Sequence, residues 1–267
     1  MIGRRALPEE YKDFNARWGA PAGLPGTWNV PLQKRLDDPC AEYGPFAFQI
    51  AGGTRVFEYP WVYLAADAAP GSRVLDVGGC VGGLQYVFAL EGCQVVNVDP
   101  FDETSGGWPS GSARIVLPPD MHERLNKVFG TDVELVRKRL QDADLAEGSF
   151  DRVICVSVLE HLEQVDAQDL VAAAGRLLAP GGIFVATVDL FLDLEPFGVL
   201  SRNFFGTNID VAALVERSGM ELVTGDRREL FGFPEFDRDR IVSMLDELLI
   251  SYRDPVVSQA LVLRKPE

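Results

Sequence analysis

Residues Val74 to Gly83 read Val-Leu-Asp-Val-Gly-Gly-Cys-Val-Gly-Gly, and this stretch decides the fold. Arg73 to Val77 is a short apolar strand cut off by glycines. Leu84, Val87 and Phe88 follow at helical spacing, and Gly92 predicts the end of that helix. A glycine-rich turn between a strand and a helix lets the backbone approach a ligand closely.

Within that turn Asp76 stands two residues before the first glycine. A pyrophosphate wants bare N–H groups at a helix N-terminus, and a carboxylate aimed there opposes it. The same carboxylate suits a ligand with an ammonium group, such as the amino-acid end of S-adenosylmethionine. In a GxGxxG frame the run is Gly78-Gly79-Cys80-Val81-Gly82-Gly83, so cysteine occupies the middle glycine position and the dinucleotide fingerprint is imperfect. Gln94 to Val98 predicts a second strand ending at Asp99, about 20 residues past the turn, where a ribose-binding acid belongs. A carboxylate there accepts from the 2′ and 3′ hydroxyls together. NAD binders share this arrangement, so Asp99 points to an adenosine ligand without choosing one.

Outward from this unit, the pattern predicts helices over Asp120–Phe129, Asp166–Leu178, Ile209–Ser218 and Arg240–Leu249. Strands are predicted over Val133–Arg139, Phe150–Val156, Gly182–Val188, Met220–Thr224 and Val256–Leu263, with Pro180-Gly181 as a stop signal. Strands alternating with helices predict an α/β fold with a mostly parallel sheet covered on both faces. Met1 to Pro70 is broken by proline and glycine too often for long helices, yet it is rich in aromatics, so an extension packed on the main domain is expected, with a short helix over Trp61–Ala69. The organisation expected is an N-terminal extension over 1–57 that covers the substrate, and a ligand-binding domain over 58–267 with a helical insertion at about 226–255.

The chain has 267 residues, 47% hydrophobic and 24% charged, which suits one large domain with an appendage and argues against wholesale disorder. With 25 basic and 40 acidic residues the formal net charge is −15. That argues against duplex nucleic acid and against an anionic membrane surface as partners. Met1 to Phe14 carries Glu9, Glu10 and Asp13 and has no apolar core, so no signal peptide is expected. No apolar run approaches the roughly 18–20 residues of a spanning helix. Cys40, Cys80, Cys93 and Cys155 show no CxxC spacing and the only histidines are His122 and His161, so no metal site is expected and a cytoplasmic protein with reduced thiols is.

Four segments in order carry a family resemblance: Asp76-Val-Gly78-Gly79-Cys80-Val-Gly82; Gln141 to Leu145 with Gly148-Ser149-Phe150-Asp151; Val158 to Leu162; and Leu177 to Gly182. Over roughly Tyr59 to Thr224 the chain resembles the class I S-adenosylmethionine-dependent methyltransferases, with Cys80 where the family's second glycine belongs. The resemblance implies a Rossmann-like three-layer sandwich whose seven-stranded sheet has its last strand antiparallel. It also implies S-adenosylmethionine as methyl donor, leaving S-adenosylhomocysteine. The implied contacts are Asp76, Gly78, Gly79, Cys80, Gly82, Asp99, Pro100, Phe101, Asp142, Ala143 and Val156. An acid placed like Asp142 contacts the adenine amino group, the N–H of Ala143 faces the ring, and Phe101 is an adenine neighbour or a loop anchor.

Methyl transfer is an in-line displacement at an activated carbon, so the protein mainly supplies alignment and, for an O or N nucleophile, a base. His161, after the fourth strand, is the leading candidate for base or substrate orienter. His122 is expected in a surface helix. Asp189 is a second candidate for orienting a substrate or binding a cation, and Glu160 is expected to cap or pack. The N-terminal aromatics, the loop Phe101 to Pro119 as a lid, and Phe231, Phe233 and Phe236 are expected to enclose a partly apolar acceptor site. The leading reading is methylation of O or N on a small-molecule acceptor of specialised metabolism, by a monomer or homodimer. The alternatives are a non-methylating protein of the same fold (a cyclase, or a ligand-binding or regulatory protein) and an NAD-dependent oxidoreductase. Asp76 and the broken GxGxxG count against the last.

Overall fold

The computed structural model describes residues 1–100, 117–251 and 255–267. Seven strands form one sheet: β1 (Arg73–Val77), β2 (Gln94–Val98), β3 (Glu134–Val136), β4 (Phe150–Val156), β5 (Leu178–Phe191), β6 (Glu221–Thr224) and β7 (Val256–Arg264). Their order is β3-β2-β1-β4-β5-β7-β6. β1 runs parallel to β2 and β4, β2 to β3, and β4 to β5, whereas β7 is antiparallel to both β5 and β6. The chain moves outward from β1 to β3, then returns to lay β4 on the other side of β1. That reversal opens a crevice at the carboxyl ends of β1 and β4, where open α/β sheets bind ligands.

Side-chain alternation builds the two covered faces. Val74, Ile154, Val185, Ala260 and Val262 face one core, and their neighbours Leu75, Val153, Phe184, Leu261 and Leu263 face the other. On the second face lie α6 (Gln164–Leu177) and α7 (Val211–Ser218). Leu170, Ala173, Ala174 and Leu177 of α6 are all buried, as their spacing predicts.

The first face is covered by α4 (Gly83–Leu90), α5 (Met121–Phe129) and the N-terminal region. That region holds α1 (Glu9–Trp18), α2 (Leu32–Asp37) and α3 (Arg55–Ala66), so it is more helical than its proline and glycine content predicts. Gly19 ends α1 in the left-handed conformation, and Pro31 directly precedes α2, where it does no harm to a helix. Phe14, Phe46, Phe48, Phe57, Tyr59 and Trp61 are buried there, so the extension packs on the domain. α3 starts at Arg55, six residues before the predicted Trp61, and carries Pro60 within it.

Other boundaries also differ. β5 runs from Leu178 through Pro180-Gly181 rather than starting after them, because the stop signal is absorbed as a register shift against β4 between Phe150 and Arg152. β3 shrinks to three residues. The expected insertion helix is α8 (Arg238–Ser243), shorter and earlier than Arg240–Leu249. Ile2 bridges Gln259 of β7, which binds the first residues to the sheet. Among the described residues no helix is long and apolar enough to cross a membrane.

Candidate functional site

The turn after β1 meets the end of β2. Gly78 has φ 72° and its N–H donates to Val98 O at 2.9 Å, which draws the two strand ends together. A Cβ on Gly78 would stand 2.6 Å from the Val158 side chain, so both backbone conformation and space demand glycine. Gly79 is required for a different reason: a Cβ there would collide with the Asp76 carboxylate, which lies directly against the turn. Asp76 is 4% exposed, and burial together with the nearby charge of Asp99 pushes its carboxyl up to about 7.

Cys80 has φ 45°, a conformation that disfavours any residue with a Cβ. Its backbone is held from both sides. The N–H donates to Asp99 Oδ2 at 3.0 Å. The carbonyl accepts from Asn97 Nδ2 at 2.8 Å and from Gln85 Nε2 at 3.1 Å. Gln85 Oε1 in turn accepts from Asn97 Nδ2 at 3.0 Å and lies 2.8 Å from His122 Nε2. His122 therefore belongs to the floor of the turn, not to a surface helix. It is 4% exposed, and burial, with Arg137 adding to it, lowers its pKa to about 4. Gln85 and Asn97 were missed from the sequence. Their signal was one amide inside each of two apolar runs, Leu84 to Phe88 and Val95 to Val98.

Asp99, at the end of β2, is half-buried, and its N–H donates to Val136 O at 3.2 Å. Pro100 is exposed, and Phe101 with the rest of the expected lid over 101–116 lies outside the described residues. Asp142 ends a short 3-10 helix, Leu140–Asp142, and is exposed. The Ala143 N–H, expected to face an adenine ring, donates to Leu140 O at 3.3 Å within that turn. Val156 ends β4 opposite Thr187. The turns after β1 and β4 meet directly, Val158 against Gly78, so the predicted residues that follow these strands share one edge.

The turn after β4 carries His161, the candidate base. Ser157 has φ 51° and its N–H donates to Thr187 O at 3.0 Å. Glu160 and His161 lie in a short 3-10 helix, Leu159–His161. His161 Nδ1 is 2.5 Å from Phe205 O. A carbonyl only accepts, so Nδ1 carries the proton, and in the neutral ring Nε2 keeps its lone pair. Burial lowers the His161 pKa, which favours that neutral ring.

Beside His161 lies a buried polar cluster that the sequence showed only in part. Glu160 does more than cap: it is fully buried and accepts from the Ser157 hydroxyl, and burial pushes its carboxyl up to about 7. Ser157 Oγ is 3.3 Å from Asp189 Oδ2, and Asp189 is likewise raised by burial and by Glu160. Arg55 pairs with the fully buried Glu58, which also accepts from Ser258 Oγ at 2.8 Å. The expected aromatics Phe231, Phe233 and Phe236 are half-buried, and Phe231 and Phe236 pack on a separate small core around Ile2 and Leu190. Among the described residues no group of three or more His, Cys, Asp or Glu side chains could hold a metal ion.

Comparisons agree with this geometry. Residues 57–224 match the family described as methyltransferase domain. A ubiquinone biosynthesis O-methyltransferase of Dechloromonas aromatica (strain RCB) is 29% identical over 163 residues, 59% of this chain and 60% of that protein. The chain spans about half the length of the curated relatives it matches. The crystal structure of a putative methyltransferase from Bacillus halodurans C-125 superposes with TM-score 0.53 at 17% identity, covering 79% of this chain and 99% of the other. The [4+2]-cyclase SpnF superposes with TM-score 0.55 at 18% identity, covering 92% and 97%. At such identities the two structures speak for the fold alone.

Proposed function

The chain belongs to the methyltransferase-domain family, and on that premise we propose that it transfers the methyl group of S-adenosylmethionine to an oxygen or nitrogen atom of a small-molecule acceptor. One observation carries the reading. The Asp99 carboxylate grips the N–H of Cys80 in the turn, and the buried carboxyl of Asp76 lies against Gly79 beside it.

The residues present fit this donor. Burial, and after it the charge of Asp99, pushes the Asp76 carboxyl up to about 7, and a ligand ammonium would favour its charged form. A pyrophosphate would oppose that form, which disfavours a dinucleotide. Bound here, the donor supplies a methyl carbon already activated by a sulfonium. Asp76 and the Gly78–Gly82 turn hold its amino-acid end, Asp99 its ribose hydroxyls, and Pro100, Phe101, Asp142, Ala143 and Val156 its adenosyl side. His161 orients the acceptor and takes up its proton at Nε2, since Nδ1 is committed to Phe205.

The net charge of −15 favours a small metabolite over nucleic acid as acceptor, and the aromatic N-terminal region over 1–57 serves as its cover. Calorimetry with S-adenosylmethionine, S-adenosylhomocysteine and NAD tests the reading. Binding of the two sulfur ligands and not of NAD is expected, and tight binding of NAD alone would overturn it. Binding without any methyl transfer to an acceptor library would favour the non-methylating alternative.

A further inference from the structure

Resting on the reading of His161 as the base, we propose that Asn203 is a positioning residue for methyl transfer. Oriented by Asp193, it holds the Phe205 carbonyl against His161, which keeps the ring proton on Nδ1 and the lone pair on Nε2.

The hydrogen bonds of Asn203 build this turn. Its Oδ1 accepts from the N–H groups of Phe205 at 2.9 Å and Gly206 at 3.1 Å. Its own N–H donates to Gly206 O at 3.0 Å, which closes the turn. An amide offers an acceptor on one side and donors on the other. Asp193 settles which way this one points, because Asn203 Nδ2 reaches both carboxylate oxygens, at 3.1 and 3.3 Å. The flipped amide would set oxygen against carboxylate and NH2 against two N–H groups.

The turn so shaped is fastened to the short helix that carries His161. The Thr207 N–H donates to Glu160 O at 3.0 Å. Gly206 lies so close that a Cβ there would stand 1.9 Å from Glu160 O and 3.4 Å from the His161 Cα. Asn208 ties the loop to the end of β5: its Oδ1 accepts from the Phe191 N–H at 2.7 Å, and its Nδ2 donates to Phe191 O at 2.9 Å. The Phe205 carbonyl therefore has a fixed place.

That place matters because two oxygens compete for the proton of the His161 ring. Glu160 Oε1 stands 4.0 Å from Nε2, and a carboxylate there draws the proton towards Nε2. A neutral ring protonated at Nε2 could not take up the acceptor's proton there. The bond from Nδ1 to Phe205 O opposes this shift, and it lasts only while the turn holds the carbonyl at 2.5 Å.

The test reads the tautomer directly and needs no acceptor. His122 and His161 are the only histidines, so long-range proton–nitrogen NMR correlations of the labelled full chain resolve both rings, and His161→Gln identifies the signals of His161. At about pH 8, where the ring is neutral, the parent should carry its proton on Nδ1. Asn203→Ala should lower the ratio of Nδ1–H to Nε2–H at least about threefold, in line with a weakened hydrogen bond. Asn203→Asp should do the same, since the new carboxylate faces Asp193. Exchanging the pair, Asp193→Asn with Asn203→Asp, should restore the parent ratio. If circular dichroism shows Asn203→Ala unfolded, the exchange decides alone. A parent ring protonated on Nε2, a ratio unchanged in Asn203→Asp, or an exchange that fails to restore it overturns the inference while leaving the methyl-transfer reading intact. An unaffected rate in His161→Ala removes the base, and the inference with it.

Discussion

The backbone N–H of Cys80 donates to the Asp99 carboxylate at 3.0 Å, so the end of the second strand clamps the turn after the first. Asp99 therefore shapes the turn, and in the proposed reading its carboxylate also binds the ribose of the donor. Asp99→Ala should lower S-adenosylhomocysteine affinity by about 10- to 100-fold, the range for losing hydrogen bonds to a charged group. Calorimetry reads this directly, and an unchanged affinity would mean that the second strand does not carry the ribose acid.

The amide of Gln85 supports the same turn from below, bonding Cys80 O and meeting Asn97 and His122. Gln85→Leu keeps the volume but strands the Asn97 and His122 groups in the core. A stability loss of about 1–3 kcal/mol is expected in urea denaturation. A neutral result would show that water or a rearranged Asn97 substitutes for the amide.

Asp76 and His122 respond to pH with opposite sign. Asp76 titrates near 7 in the fold, above its ordinary 3.8, so the native protein holds a proton that the unfolded chain releases. Its contribution is full below about 4 and is lost as pH rises through 7. His122 titrates near 4, below its ordinary 6.5, so its contribution is full above 6.5 and is lost as pH falls towards 4. In Asp76→Asn the loss between pH 5 and 8, followed by thermal melts, should shrink. The same variant should bind S-adenosylhomocysteine more weakly at pH 8, because the ammonium loses its counter-charge. Undiminished affinity would remove Asp76 from the ligand site.

Methyl transfer should depend on His161 through turnover rather than donor binding. His161→Ala is expected to cut kcat by about 10²- to 10⁴-fold, the usual worth of a positioned base, while S-adenosylhomocysteine affinity stays within twofold. Assays at saturating donor separate the two effects. An unaffected rate would leave His161 a purely structural partner of the Phe205 carbonyl.

Gly79 probes the fit of the turn without backbone strain, since its φ is not positive. A methyl group there must displace the Asp76 carboxylate. Gly79→Ala should therefore weaken donor binding more than it lowers the melting temperature. An affinity equal to the parent's would mean that Asp76 has room to move aside.

By itself the sequence determined the sheet and the position of the turn. β1, β2 and β4 begin and end at the residues their apolar runs predict, and the family match over 57–224 nearly coincides with the predicted Tyr59–Thr224. Strand ends, glycine turns and burial period are local properties, written within a few neighbouring residues. Only the tertiary structure decided which polar groups meet. Ser258 reaches Glu58 across 200 residues, and His122 reaches Gln85 across 37. No periodicity records such pairings, because a buried polar residue and an exposed one look alike until the fold supplies or withholds a partner. The same limit hid the N-terminal helices. Their proline and glycine content speaks against them locally, and packing of their own aromatics in the core over the aliphatic face of the sheet outweighs it.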